Sequence, residues 1–257
     1  METPLIFDIK RSSTVDGPGI RTTVFLKGCN LDCFWCHNPE GKSATAELAL
    51  FSEKCVACGA CLAACKNGLL TCETCGACVE TCPEQARKLY GKQISVQSLM
   101  DVIKADAEFF RATGGGVTVS GGECLLYPEF VAELAMECKK EGIPVAVDTA
   151  GSVPFSHFER VLPYVDLFLY DIKCLDPDLH KRGTGKDNLL ILENLERLKK
   201  TDKQILIRIP VIPNFNEGEE VERIKAFCKD RNLAFETLAY HAFGEDKKRA
   251  LSAKRTK

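Results

Sequence analysis

From residue 96 onward, short apolar runs alternate with stretches whose apolar residues recur every three or four positions. No other feature restricts the fold as much. The runs are GVTVS (116–120), PVAVD (144–148), LFLYDIK (167–173), ILIRIPVIP (205–213) and FETLAYHAF (235–243), preceded by RTTVFLKGC (21–29). Helical spacing shows in VQSLMDVIKADAEFF (96–110), through Leu99, Val102 and Ile103, and in Phe130, Leu134 and Cys138. It returns in Leu189, Leu192, Leu195 and Leu198, and in Val221, Ile224 and Phe227. Such spacing marks one face of a helix. Near-continuous apolar strands divided by amphipathic helices predict an α/β chain whose parallel sheet is covered on both faces. Counting the first strand, about six β/α units are expected.

Periodicity leaves two architectures open, a flat doubly wound sheet and an open barrel of TIM-like lineage. The strand ends favour the barrel, a partial (β/α)6 arrangement, because barrel chemistry collects at the C-terminal ends of strands. The first strand runs into Cys29, Cys33 and Cys36, and the second into Gly121-Gly122-Glu123. The third ends at Asp148-Thr149 and the fourth at Asp171-Ile172-Lys173; the fifth carries Arg208 and the last Tyr240-His241. Gly114-Gly115-Gly116 precedes a strand and reads as a turn, as does Asp16-Gly17-Pro18-Gly19.

The chain has fifteen cysteines, eleven of them between residues 29 and 82. The start, METPLIFDIKR, lacks the basic beginning and apolar stretch of a secretory signal. No run reaches the ~18 apolar residues of a membrane span. A cytoplasmic protein is therefore expected, and there clustered thiols point to metal rather than disulfides. A net charge of −2 and a pI near 6.2 give no reason to expect nucleic acid or an anionic membrane as partner.

CVACGACLAAC (55–65) and CETCGACVETC (72–82) are one C-x2-C-x2-C-x3-C pattern repeated seventeen residues on. This is the spacing of bacterial ferredoxins, in which the fourth cysteine reaches across to the other cluster. On that rule Cys55, Cys58, Cys61 and Cys82 hold one [4Fe–4S] cluster and Cys72, Cys75, Cys78 and Cys65 a second. Two zinc sites are the competing assignment. Only six residues separate Cys65 from Cys72, which calls for a short connection. The expected organisation is a ferredoxin-like module at 52–85 inserted between 1–51 and 86–257. The first trio, Cys29, Cys33 and Cys36, differs in having no fourth ligand close by. An open coordination position is what separates a catalytic metal site from a structural one. His37 as a fourth ligand is the weaker alternative, since it adjoins Cys36. Cys124, Cys138, Cys174 and Cys228 stand alone and read as packing thiols. His157 and His180 read as surface residues near helix ends.

CNLDCFWC, with Trp35 as its aromatic, resembles the C-x3-C-x-Φ-C signature of radical S-adenosylmethionine enzymes. VDGPGIRTTVFLKGCNLDCFWCHNPE resembles the N-terminal segment of glycyl-radical-enzyme activating enzymes, and SGGE, DTAG, DIK, IPVIPNFNE and YHAFGEDK continue the likeness in order. The resemblance implies an open [4Fe–4S] cluster on Cys29, Cys33 and Cys36 that binds S-adenosylmethionine. Its reductive cleavage to a 5′-deoxyadenosyl radical would abstract a Cα hydrogen from a glycine of a partner glycyl radical enzyme. Gly121 and Gly122 would admit the methionine amino group without a Cβ clash, with Glu123 as an acceptor. Asp148 would lie near the cosubstrate, Lys173 would pair with its carboxylate, and Trp35, His37, Arg208 and His241 would complete the set. Asp148, Thr149 and Asp171, with a backbone oxygen of Leu169, resemble a monovalent-cation site. With the insert, three [4Fe–4S] clusters are implied, fed by a flavodoxin or ferredoxin reductant, in a monomer.

Family members usually continue beyond YHxxG into a further helix, whereas this chain ends in EDKKRALSAKRTK, which lacks apolar periodicity and is expected to fray. Ala239 and Ala242 stand where proline and arginine are common, and the chain reads as a short or truncated member. Two other functions were weighed. One is a radical enzyme acting on a small molecule or other peptide; the other is a non-catalytic iron–sulfur electron-transfer protein, which would need no cosubstrate pocket.

Overall fold

Val117, Val119, Val145 and Val147 alternate with Thr118, Ser120, Ala146 and Asp148, so two neighbouring strands each have an apolar and a more polar face. In the computed structural model, which describes residues 3–66 and 72–252, that alternation organises the whole sheet. The chain forms β1 (Ile6–Ser13), β2 (Arg21–Leu26), β3 (Glu47–Leu50), β4 (Arg87–Tyr90), β5 (Gly116–Gly121), β6 (Val145–Thr149), β7 (Leu167–Asp171), β8 (Gln204–Val211) and β9 (Ala234–Ala239). Seven of these make one sheet in the order β1-β2-β5-β6-β7-β8-β9. β1 is antiparallel to β2, and the six strands from β2 to β9 run parallel.

One face packs the main core, with Val24, Leu26, Val117, Val119, Val145, Val147, Phe168, Tyr170, Ile207 and Ile209 turned towards the helices. The helices are α3 (Val96–Lys104), α4 (Ala107–Thr113), α5 (Pro128–Lys140), α6 (Phe155–Val161), α7 (Pro177–Thr184), α8 (Leu189–Leu198) and α9 (Glu219–Asp230). The other face has only a small apolar cluster, Ala146, Leu167 and Leu169 with Leu206. The expected cover on both faces is therefore corrected: one face is apolar and the other is partly polar.

That second face is concave. The loop between β1 and β2 places Gly17 beside Leu169 on β7, and its Val15 carbonyl accepts from Arg208 on β8 at 3.2 Å. In a flat sheet β8 would lie about 19 Å from β2 at the usual strand spacing. The sheet curls around the loop instead, and its two edge strands, β1 and β9, do not pair with each other.

Other departures have local causes. β1 was not expected, because Asp8, Lys10 and Arg11 obscure its pattern; charges of this kind are typical of an edge strand. The helix expected over 96–110 breaks at Ala105-Asp106. There the buried Asp106 carboxylate accepts from Arg11 Nε at 2.9 Å and Thr22 Oγ1 at 2.6 Å. His180 is buried, not exposed, and its Nδ1 meets the Lys186 carbonyl at 2.6 Å. Of the tail expected to fray, the part up to Ser252 instead belongs to α10 (Phe243–Ser252), whose Ala250 packs with Phe7, Ala49 and Tyr90, and 253–257 lie outside the described residues.

β3 and β4 form a separate two-stranded ribbon framing residues 51–86. Within that segment the seventeen-residue repeat recurs in the backbone. Ala57 and Thr74 take positive φ, as do Gly59 and Gly76, and each glycine precedes one short helical turn, α1 (Ala60–Ala63) or α2 (Ala77–Glu80). Most of the connection between Cys65 and Cys72 lies outside the described residues.

Phe168 is fully buried and packs its ring against Phe158 of α6. Phe168→Ala should cost about 3–5 kcal/mol, read as a lower urea midpoint at unchanged slope.

Candidate functional site

The cysteine loop leaves the C-terminal end of β2 and is held by backbone on two sides. Gly28 N–H donates to the Gly41 carbonyl at 2.8 Å, and Cys29 N–H to the Lys42 carbonyl at 3.0 Å. Asp32 and Phe34 N–H groups donate to the Thr184 and Gly183 carbonyls at the end of α7. Trp35 closes the contact by packing on Phe215, with ring centres 4.4 Å apart, over Gly183, where a Cβ would collide with both rings. Burial pushes the Cys29 thiol up to about 12 and the Cys33 thiol to about 11, and raises Cys36 as well. Unliganded, these groups stay protonated; a bound cationic centre would hold them as thiolates. Among the described residues no three His, Cys, Asp or Glu side chains converge as a single-ion site. His37 does not turn back to the thiols. Its ring stacks on His241 at 4.1 Å, and burial lowers its pKa to about 4.

Beside the loop, the concave face gathers charge from β6, β7 and β8. Asp148 accepts from Ser120 Oγ at 2.7 Å and faces Arg208 Nη1 at 3.4 Å. Arg208 also lies 3.3 Å from Glu236 on β9. Asp171 pairs with the buried Lys173 ammonium at 2.7 Å. Burial works against the charge on Lys173, but the Asp171 carboxylate beside it raises its pKa. Asn216 fixes this corner by donating to the Lys173 and Pro210 carbonyls, both at 2.6 Å.

Several of the expected site residues have partners inside the protein. Gly121 and Gly122 are small for a reason inside the protein: a Cβ on either would strike the Leu26 carbonyl or those of Gly28 and Gly41. Glu123 is fully buried and turned inward. Its carboxylate accepts from Leu125 N–H at 3.1 Å, Thr149 Oγ1 at 2.7 Å and Ala150 N–H at 3.0 Å. Burial pushes its carboxyl up to about 7 against those three bonds. The cation trio is engaged elsewhere: Asp148 with Arg208, Asp171 with Lys173, and the Thr149 hydroxyl with Glu123. Sequence reasoning passed over Ser120 and Glu236, although strand alternation puts Ser120 beside Asp148, and over Asn216 within IPNFNE.

In the insert, Cys55, Cys58, Cys61 and Cys82 line one cavity of about 100 Å³, together with Val56, Leu62 and Arg87. Burial is the largest influence raising the Cys78 thiol, and Cys72 and Cys65 are close enough to add to it. Cys124, Cys138, Cys174 and Cys228 are buried.

A family model described as the Radical SAM superfamily matches residues 23–228. The chain is 41% identical to the (2S)-3-sulfopropanediol dehydratase activating enzyme of Klebsiella oxytoca, over 96% of this chain and 85% of that protein. It is 42% identical to the trans-4-hydroxy-L-proline dehydratase activating enzyme of Clostridioides difficile, over 95% of this chain and 86% of that protein. Among solved structures, the crystal structure of Streptococcus suis SuiB superposes with a TM-score of 0.52 at 13% identity, covering 84% of this chain and 38% of SuiB, a likeness of fold alone.

The Glu123 geometry has a consequence for stability. Its folded pKa of about 7 lies above its ordinary 4.5, so its contribution is fully present below pH 4.5 and is lost as pH rises through 7. The melting temperature of the metal-free chain minus that of Glu123→Gln should therefore fall steadily across this window. A difference that stays constant with pH would contradict the inward, desolvated carboxyl.

Proposed function

The chain belongs to the radical SAM superfamily, among the activating enzymes of glycyl radical enzymes, and from that premise we propose which of its residues do the work. When bound and reduced, a [4Fe–4S] cluster would supply the one electron that splits S-adenosylmethionine into methionine and a 5′-deoxyadenosyl radical, which would take a glycine Cα hydrogen of the partner enzyme to give 5′-deoxyadenosine and the activated glycyl radical. The observation that carries the assignment is three half-buried thiols in one rigid loop, beside a concave face where Asp148, Asp171, Lys173 and Arg208 converge. The chemistry of this donor set fits a cluster with one open position, and Cys29, Cys33 and Cys36 would hold it. Lys173, buried and cationic next to Cys33, is placed to receive a carboxylate. Asp148, held by Ser120 and Arg208, supplies an acceptor on the same face. Trp35, His37 and His241 line one pocket with Cys36 and belong to the wall of the cosubstrate site. Gly121, Gly122 and Glu123 shape that site from behind, by fixing backbone.

The same proposal assigns residues 52–85 to an insert with two further [4Fe–4S] clusters. Cys55, Cys58, Cys61 and Cys82 take the first, supported by their shared cavity. Cys72, Cys75, Cys78 and Cys65 take the second, supported by the nearness of Cys72 and Cys65 to Cys78. These would relay electrons from a flavodoxin or ferredoxin. An electron-transfer role alone would account for the insert and leave the polar concave face unused. No monovalent cation is carried forward, since Arg208 and Lys173 already neutralise the two aspartates. We further propose that the enzyme acts as a cytosolic monomer on a protein partner, without nucleic acid or membrane. Among the described residues no helix is long and apolar enough to cross a membrane.

Anaerobic reconstitution should load about twelve irons per chain, as three cubanes require; about four would remove the insert clusters. Cys33→Ala should lose about four irons together with all 5′-deoxyadenosine formation from S-adenosylmethionine and dithionite. Cys58→Ala should also lose about four but keep the dithionite-driven cleavage. With a glycyl radical enzyme added, a glycine-centred EPR signal is expected, and cleavage without that signal would redirect the function to another substrate.

A further inference from the structure

The C-terminal helix α10 lies directly on the segment that follows Cys36. Gly244 sits so close that a Cβ there would collide with the Cys36 carbonyl and come within 3.0 Å of His37 Cα. One turn later, Lys247 Nζ donates to Glu40 Oε1 at 2.5 Å, with the His37 carbonyl at 3.4 Å and Asn38 Oδ1 at 3.5 Å. The Glu40 side chain is only 3% exposed, so this ion pair is shielded on the carboxylate side. Another turn on, Ala250 packs with Ala49 and Tyr90, residues of the ribbon that frames the insert. Positions 244, 247 and 250 are three apart and share one helix face. Lys248 and Arg249 fall off that face, so three neighbouring cations in the sequence have different surroundings.

A second ammonium holds the same segment from the sheet. Lys27, fully buried at the end of β2, donates to the Glu40 carbonyl at 2.5 Å and to Glu47 Oε2 at 2.9 Å. Residues 37–40 are thus held between Lys27 on one side and Lys247 on the other. Removing one partner of a buried pair leaves the other charge uncompensated.

We propose that Lys247 is a positioning residue for the open-cluster loop, and that α10 is the strap binding this loop to the ribbon of the insert. The Lys247 ammonium bonds to the His37 carbonyl, Asn38 and Glu40 rather than to a cysteine. It fixes the backbone after Cys36, and through that the direction of the third thiolate. The inference rests on the assignment of Cys29, Cys33 and Cys36 as cluster ligands. Groups one step removed from metal ligands typically change affinity or activity by about 10–100-fold.

The test compares wild type, Lys247→Met, Lys247→Arg and the double variant Glu40→Gln/Lys247→Met after anaerobic reconstitution. Three quantities are read: iron per chain, the change in the EPR spectrum of the reduced cluster on adding S-adenosylmethionine, and the rate of 5′-deoxyadenosine formation. The melting temperature of each metal-free chain controls for folding. Lys247→Met should weaken the cosubstrate-dependent EPR change and slow cleavage by about tenfold or more, and Lys247→Arg should recover most of both. The double variant, with no unpaired charge, should regain the wild-type melting temperature yet keep the EPR and rate defects. Wild-type EPR and rate in Lys247→Met would overturn the proposal, as would a double variant restored in all respects. A wild-type protein that shows no cosubstrate-dependent EPR change would instead overturn the cluster assignment on which it rests.

Discussion

Backbone from three distant parts of the chain meets at the end of β2 with no room for a side chain. Gly28 donates to Gly41, Glu123 N–H donates to the Gly28 carbonyl at 2.8 Å, and Gly122 N–H donates to Leu26 at 2.9 Å. A Cβ on Gly122 would strike the Gly28 and Gly41 carbonyls. This junction fixes the cysteine loop to the sheet, since the residues just before Cys29 and just after Cys36 both pass through it. Glu123 extends the constraint: its buried carboxylate gathers Leu125, Thr149 and Ala150 and sets the end of β6 against that of β5. Asp148 precedes this clamp directly, so its position on the concave face follows from the same bonds.

The charged face is possible because the sheet stays open. A closed barrel fills its interior with layers of branched side chains. Here only Ala146, Leu167, Leu169 and Leu206 play that part, and the loop carrying Val15 and Gly17 covers the space beside them. Above that plug the strands carry paired charges. Each carboxylate there has a cationic or hydroxyl partner, which offsets part of the cost of placing charge at low exposure. The other face spends its alternate positions on valine, isoleucine and aromatics against the helices, and supplies the main apolar burial.

Much of this was legible in the sequence. Parallel strands declare themselves as apolar runs, and all six fall where those runs predict, because five bury their helix-facing side chains and the edge strand β9 still packs Phe235 partly against the core. The ferredoxin-like spacing is equally local: seventeen residues on, the backbone repeats its left-handed positions at Ala57 and Thr74 and at Gly59 and Gly76. The failures share one cause. β1 and α10 are charged segments whose order comes from distant partners, Arg11 with Asp106 and Lys247 with Glu40. His180 reads as exposed because its polarity is local, whereas its burial and its contacts with the Lys186 carbonyl and Thr184 hydroxyl come from the fold.

The sequence by itself determined the residue types and their order: three thiols without a fourth, a doubled four-cysteine pattern, and polar groups at successive strand ends. Ligand chemistry and side-chain periodicity are properties of neighbours along the chain, so they survive without coordinates. Only the tertiary structure decided which polar groups face the open side of the sheet and which are consumed inside it. SGGE and the final helix show the difference. The motif's glycines and glutamate serve backbone packing, whereas a lysine from a segment expected to fray reaches the loop that holds the cysteines. Hydrogen-bond saturation and close approach are relations between residues that stand anywhere from 26 positions apart, as Glu123 and Thr149 do, to 207, as Glu40 and Lys247 do, and folding alone brings them into contact.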